Sequence, residues 1–363
     1  MSQLLLRIEN ELKTTANPIL RGKLLAKRAG YFARIGKFAE ARSIVNDLRS
    51  DFAEEKSGSV TTWIMLAEGL IHYYDKLNSE ALDRVSRVQV LSKAMGDVEL
   101  VAVASAWKAH FEFERSNFQT MSKSLEIALQ FGGQDNHSAL SRASMVLCDC
   151  HFLCGDRNNG QKWFLKSRDH ALKDGDQASI EALLYNRVAF YLAWVRARNC
   201  FDKISSDQLS LIRFELSSAK SFQNITRISA LQNIIDLCDA RLLTLEEKYE
   251  QAIDKLQSLR DISPYGEYNF NQSFVDLEID FCSHEIGRDE KHSSDRSNDK
   301  FEFFDKMDID EQLIAAWMIY KIERCSSNLK TSSIALNRLE EIKLKYIESV
   351  LQLQNILIRF SSA

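Results

Sequence analysis

Apolar positions recur along this chain at helical rather than strand spacing, and they come in paired blocks. Between residues 21 and 53, Leu24, Leu25, Ala29 and Phe32 share one face of a predicted helix, the pattern breaks at Gly36, and Ala41, Val45 and Leu48 mark the inner face of a second helix. Similar pairs follow at a nearly fixed interval. Ala41, Ala81, Met121 and Gly160, each near the start of a second helix, stand 40, 40 and 39 residues apart. One helix pair cannot bury its own apolar face, so units of this size must stack. The pattern therefore predicts an all-α chain built as an array of helix pairs. Three units end alike, at Gly96-Asp97, Gly132-Gly133 and Gly175-Asp176, where glycine suits the left-handed helix stop and aspartate can cap the next helix.

The first unit places a small residue in its first helix, an aromatic three later, Gly-x-aromatic at the turn and Ala at the helix crossing: Ala29, Phe32, Gly36, Phe38 and Ala41. In these residues it resembles a tetratricopeptide repeat. Later units match more loosely, through Gly69 and Ala81, then Ala109, Phe118, Leu125 and Ala128, then Cys148, Gly155-Asp156, Gly160 and Phe164. A fifth unit begins near Ser179 with an insertion around 199–207, and Tyr249, Ala252 and Pro264 restore the pattern in a sixth. The resemblance covers roughly residues 21–265, with a period longer than the family's usual length of about 34. It is similar to the long-repeat arrays of bacterial signalling regulators and kinesin-light-chain-like adaptors.

The resemblance implies an α-α superhelical solenoid, with a capping helix over 1–20, repeats over 21–286, a mobile polar loop over 287–303 and helices over 304–363 that cap the array or mediate association. In this family first helices line the inner face, which implies partner binding by Arg34, Tyr73, Tyr74, His110, Phe113, Glu114, Arg142, Asn186 and Arg187. Aromatic and arginine groups suit that role because they bury large areas or form bidentate bonds. Each also has an ordinary reading as inter-repeat core or solvated surface. The Lys and Asn clamp by which some relatives hold a terminal carboxylate is missing, since Ala26 and Gly30 stand at those places. The implied function is a non-catalytic scaffold or adaptor that holds a peptide or helix of a partner protein. The alternative is a signal-sensing module that relays ligand binding through its C-terminal helix to a separate output protein.

Composition narrows the picture. The chain has 363 residues, 45 % of them hydrophobic, with only two prolines and 13 glycines, which suits long helices. Forty-seven basic against 51 acidic residues leave a net charge of −4, a poor match to nucleic acid. The opening MSQLLLRIENEL is too short an apolar run for a signal peptide, and no membrane-spanning run occurs, so a soluble cytoplasmic chain is expected. Seven cysteines lie mostly in apolar stretches, as reduced buried thiols do. Cys148, Cys150, His151 and Cys154 have the look of a metal motif, but on a helix they face different directions and cannot converge on one ion. Phosphate-loop, dinucleotide, hydrolase-elbow and zincin motifs are missing, so no cofactor, metal or enzymatic activity is expected. Finally, 331–360 reads as one long helix whose seam, Leu339, Ile342, Tyr346, Val350, Leu353, Leu357 and Phe360, needs a cover: either the solenoid itself or a second copy in a homodimer.

Overall fold

The computed structural model describes residues 2–52, 58–76, 80–226, 232–262, 271–288, 301, 303–304, 307–325 and 329–361. Among them are sixteen α-helices and no strand. In chain order they are α1 (Gln3–Thr14), α2 (Pro18–Arg34), α3 (Phe38–Asp51), α4 (Gly58–Lys76), α5 (Glu80–Met95), α6 (Val98–Glu114), α7 (Phe118–Gly132) and α8 (His137–Leu153). There follow α9 (Arg157–Asp174), α10 (Gln177–Asn199), α11 (Ser206–Thr226), α12 (Gln232–Leu245), α13 (Tyr249–Ile262), α14 (Gln272–Glu285), α15 (Ile309–Glu323) and α16 (Leu329–Leu357). Among the described residues, no helix is long and apolar enough to cross a membrane.

Local chemistry sets the helix ends. Ser2 caps α1 by accepting from the Leu5 amide, and Asn17 caps α2 by accepting from Ile19 and Leu20, with Pro18 in the first turn where its missing N–H costs nothing. Helix α2 therefore begins at Pro18. Gly96 and Gly175, both at φ +69°, behave as the spacing predicts, with Asp97 and Asp176 accepting the amides of Leu100 and Ser179, whereas Gly133, at φ +56° and ψ −136°, stops α7 outside the left-handed helical region. A common backbone closure recurs, in which an amide reaches back five residues: Lys37 to Phe32, Asp97 to Ser92, Asn117 to Glu112, Asp176 to Ala171, Lys248 to Leu243 and Arg288 to Ser283. The last predicted proline, Pro264, and most of the predicted polar loop lie outside the described residues.

The chain divides into two compact units: unit 1, Met1–His151, Arg157–Leu184 and Ser221–Leu231, and unit 2, Phe152–Asp156, Tyr185–Lys220 and Gln232–Ala363. In unit 1, α2 pairs with α3, α4 with α5 and α6 with α7, while α2–α4 and α5–α6 contacts join successive pairs. The periodic positions sit at these crossings, with Ala41, Ala81 and Met121 no more than 2 % exposed and Gly160 buried. Between α8 and α9, Ser141 and Ser167 exchange hydroxyl-to-carbonyl bonds of 3.2 and 2.8 Å, which lets the two helices approach closely without an unmet polar group.

Helix α1 does more than extend the array. Leu5 packs with Tyr31 and Ala178, Ile8 and Leu12 pack with Leu24, and the Leu4 amide donates to the Gly175 carbonyl at 3.1 Å. Arg7 reaches Asp174 at 2.5 Å. A Cβ on Gly175 would lie 2.6 Å from Gln3 Cβ and 2.8 Å from the Leu4 nitrogen, whereas one on Gly96 would meet nothing within 4 Å. Both glycines share the same φ, so Gly175→Ala and Gly96→Ala carry a similar backbone strain of about 1–2 kcal/mol, and only the former also displaces α1. Urea denaturation should show Gly175→Ala as the costlier of the two by at least about 1 kcal/mol; equal losses would mean that α1 does not hold this position in solution.

Unit 2 is built around α12–α16. Leu256, Phe274, Cys282, Leu313, Ala316 and Ile342 are each no more than 1 % exposed and belong to one continuous core. Six of the seven residues of the predicted seam are buried, with Leu339, Ile342, Tyr346, Leu353, Leu357 and Phe360 at most 6 % exposed, while Val350 is half-buried, and α15 packs along the helix. A second apolar row on α16 stays open, with Leu336, Leu344, Ile347, Leu351 and Ile358 between 39 and 68 % exposed.

Candidate functional site

Six of the nine residues expected on the inner face come together in unit 1. Arg34 closes α2, Tyr73 and Tyr74 lie in the last turns of α4, His110 and Glu114 stand one turn apart on α6, and Arg142 lies in α8. Each belongs to the earlier helix of a neighbouring pair. The Tyr73 hydroxyl lies 3.0 Å from His110 Nε2 and donates to Glu114 Oε1, and His110 Nε2 lies 3.3 Å from that same carboxylate oxygen. The arrangement fits an Nε2–H tautomer in which His110 donates to Tyr73 and Tyr73 to Glu114. Trp107, one turn before His110, meets the Tyr74 and His110 rings edge-on at 6.2 and 5.7 Å.

The electrostatics are uneven. Arg34 binds Asp176 through two bonds of 2.7 and 3.1 Å and Ser179 at 2.8 Å. Burial works against the Arg34 charge, but Asp176 beside it more than restores it, and the Asp176 carboxyl is held below the usual range by Arg34 despite its burial. Burial holds His110 well below its ordinary value, aided by the nearby Arg142 charge, so the ring is neutral. Glu114 touches solvent with 39 % of its side chain but is hemmed in by protein, and desolvation raises its carboxyl to about 7. Arg142 is different. It is 4 % exposed, its guanidinium carbon stacks 3.9 Å from the Trp107 centroid, and among the described residues its one hydrogen bond is a 3.3 Å contact from Nη1 to Met145 Sδ.

A cavity of about 540 Å³ shares Arg34 and Trp107 with this cluster. Its walls are mixed: Leu4 and Ile8 on α1, Leu24 on α2, Trp63 and Leu66 on α4 and Val103 on α6 give apolar surface, Glu11, Lys27, Glu99 and Asp174 give charged surface, and its size suits a small ligand or a peptide end. Ala26 and Gly30 line it as well.

The other three expected residues stand elsewhere. Phe113 is 5 % exposed and belongs to the core; α6 is apolar on nearly every face, buried from Leu100 to Phe113 except at Lys108, so its aromatics cannot all line a groove. Asn186 and Arg187 fall in unit 2, where Asn186 is 9 % exposed and Arg187 Nε lies 3.8 Å from Glu215. Sequence reasoning missed Trp107 and Asp176. Asp176 was legible as a helix cap, while its second role as the partner of Arg34, 142 residues away, leaves no local signal. Around the cysteine motif, burial pushes the Cys154 thiol up to about 12 and Cys150 Sγ lies 3.6 Å from Met121 Sδ; among the described residues no three His, Cys, Asp or Glu side chains are placed to hold a metal.

Glu181, also in unit 1, is 2 % exposed; Thr226 donates to its Oε2 at 3.2 Å and Oε1 has no partner. Desolvation raises this carboxyl to about 7. A carboxyl raised on folding destabilises the folded state above its folded value and does nothing below its unfolded value near 4.5. Glu181→Gln keeps the acceptor for Thr226 and removes the charge. It should therefore be more stable than wild type above pH 7, by on the order of 2 kcal/mol, with the gain vanishing toward pH 4.5. Denaturant titrations across that window test this, and a gain that persists unchanged at the acid end would rule it out.

No protein-family model and no curated protein matches the chain.

Proposed function

We propose that unit 1 is a tetratricopeptide-like recognition module, a non-catalytic scaffold that holds a peptide or helix of a partner protein against the faces of its first helices. The carrying observation is that Arg34, Tyr73, Tyr74, His110, Glu114 and Arg142, from four successive first helices, meet around Trp107 beside a cavity of about 540 Å³. Aromatic rings and guanidinium groups held by their neighbours lose little freedom when a ligand docks, which is the composition of an interaction hot spot. The reading extends to a superhelical solenoid acting in the cytoplasm, with no nucleic acid, membrane, cofactor or metal in its chemistry. The test is to recover the tagged full chain from its native cells and identify co-purifying polypeptides, in parallel with Tyr74→Ala and Arg142→Glu. A stoichiometric partner lost in both variants supports the scaffold; a partner indifferent to both removes the groove from the account.

A second reading, a sensing module that relays through its C-terminal helix, is favoured by the open row on α16. Leu336, Leu344, Ile347, Leu351 and Ile358 run along one side of the helix, and their spacing is nearly palindromic about Ile347. An antiparallel second copy would set Leu336 against Ile358, Leu344 near Leu351, and Glu340 against Gln354, whereas a parallel copy would set Glu340 against itself. The homodimer expected from the seam is thus reassigned to the opposite side of α16. Light scattering on wild type and Leu344→Glu/Leu351→Glu decides: a dimer converted to monomer supports it, and a monomer at all concentrations dismisses it.

A further inference from the structure

A guanidinium removed from water normally lies against a carboxylate, because an unpaired buried charge forfeits its hydration with nothing in return. Arg142 breaks this rule. It is 4 % exposed, and among the described residues no carboxylate lies within ion-pair distance of it and its Nη2 has no hydrogen-bond partner. Its neighbours explain how the charge is tolerated and why it is unspent. The Trp107 face lies 3.9 Å away, which offsets part of the desolvation. Arg34, the other cation at this ring, at 5.9 Å, is neutralised by its two bonds to Asp176. Glu114, the carboxylate on the facing helix, is committed to Tyr73 and His110. Two further buried donors, Trp63 Nε1 and Arg34 Nε, also lack acceptors, and both residues line the adjoining cavity. The cluster thus has donors in excess, and one positive charge more than it can satisfy.

We propose that Arg142 is the anchor for a ligand carboxylate, received beside Trp107 at the cavity of unit 1. A carboxylate is favoured over phosphate because a single uncompensated charge is offered: a planar monoanion matches one guanidinium fork, whereas a dianion would need Arg34, which Asp176 already holds. Trp107, which stacks on Arg142, also lines the cavity, and Leu24, Leu66 and Val103 there are available to the chain that carries this group, while Glu11, Glu99, Asp135 and Asp174 line other parts of the wall. This deepens the reading of unit 1 as a peptide-binding module. It places the end of a peptide, or an acidic side chain, at Arg142, by a guanidinium in α8 and not by Lys and Asn at the places that Ala26 and Gly30 hold in α2.

The experiment titrates the full chain with a pool of acetylated tetrapeptides bearing free C-terminal carboxylates, with the same pool as C-terminal amides, with succinate and with inorganic phosphate. Calorimetry and the shift in melting temperature are read for wild type, Arg142→Met and Arg142→Lys. Acids should bind about ten- to a hundred-fold more tightly than amides. In Arg142→Met the preference should vanish while the free protein melts at a higher temperature, because an uncompensated charge has been replaced by an apolar chain of similar length. Arg142→Lys should retain a reduced preference. Acid and amide binding alike, a preference that survives in Arg142→Met, or phosphate binding in place of carboxylates would overturn the anchor while leaving a peptide groove standing. Succinate reproducing the whole effect with no binding of either peptide pool would keep the anchor and discard the peptide reading.

Discussion

Arg34→Met is expected to destabilise the folded chain by about 3–5 kcal/mol, far more than its loss of contact area would suggest. The Arg34 side chain is 9 % and that of Asp176 is 3 % exposed, so removing one partner strands the other in a place water reaches poorly. The pair also joins α2 to the start of α10 across 142 residues, within one unit, and carries Ser179 as a third member. Methionine retains much of the stem volume, which isolates the charge from the cavity it would otherwise leave. A double-mutant cycle with Asp176→Asn, which preserves the cap on the Ser179 amide, makes the test specific. The double variant should lose clearly less than the two single losses added together, because the stranded charge no longer exists. Additive losses in urea denaturation would show that the two residues act independently. Acid should act on wild type in the same direction: Asp176 is held below its ordinary value, so its contribution is present above about pH 4 and is lost as pH falls through the depressed value.

The same pair shows which features could be read before the structure. Periodicity made the helix pairs legible, because spacing of apolar residues is a local property and the repeats enforce it on every unit. The end-of-unit glycines were legible for the same reason. Loose matches in later units have an identifiable cause: two hairpin turns adopt the left-handed conformation with residues other than glycine, Ser116 at φ +56° and Glu247 at +59°, so the backbone repeats where the letters do not. The candidate site was legible only as a list of first-helix positions. Which of those positions gather around Trp107, and which pass into core as Phe113 does, depends on the faces that each helix buries, and α6 buries almost all of its own. The seam of α16 was visible, but its cover was not, since a buried stripe and an exposed one have the same spacing. Long-range ion pairs have no sequence signal at all. They are the features that decide where charge is satisfied and where it is left over.

Unit 2 contains the complementary case, and there the expected loss is as large. Glu278 is 1 % exposed, and its Oε1 accepts from both Arg196 and Arg241, the latter at 3.0 Å. The two guanidinium groups flank the Phe274 ring at 5.5 and 5.1 Å, and Arg241 also reaches Glu311 at 3.4 Å. Burial opposes the charge on Arg196, and Glu278 only partly offsets it; on Arg241 the acidic neighbours prevail. Glu278→Leu should therefore cost about 3–5 kcal/mol, because two like charges then share one aromatic ring with no anion between them. If that is the cause, adding Arg196→Met must recover part of the loss, since one charge beside Arg241 is easier to tolerate than two. A cavity or packing defect would instead be made worse by the second substitution. Hydrogen exchange locates the effect: amides of α12, α14 and α15 should exchange faster in Glu278→Leu, while those of α2 to α6 keep their protection. Uniform acceleration through both units would mean that they unfold together and that the charge cluster is not a local determinant. Arg196 and Arg142 thus make opposite statements with the same side chain: Arg196 of unit 2 has its carboxylate within the chain, and Arg142 of unit 1 has a vacant donor where a carboxylate would be expected.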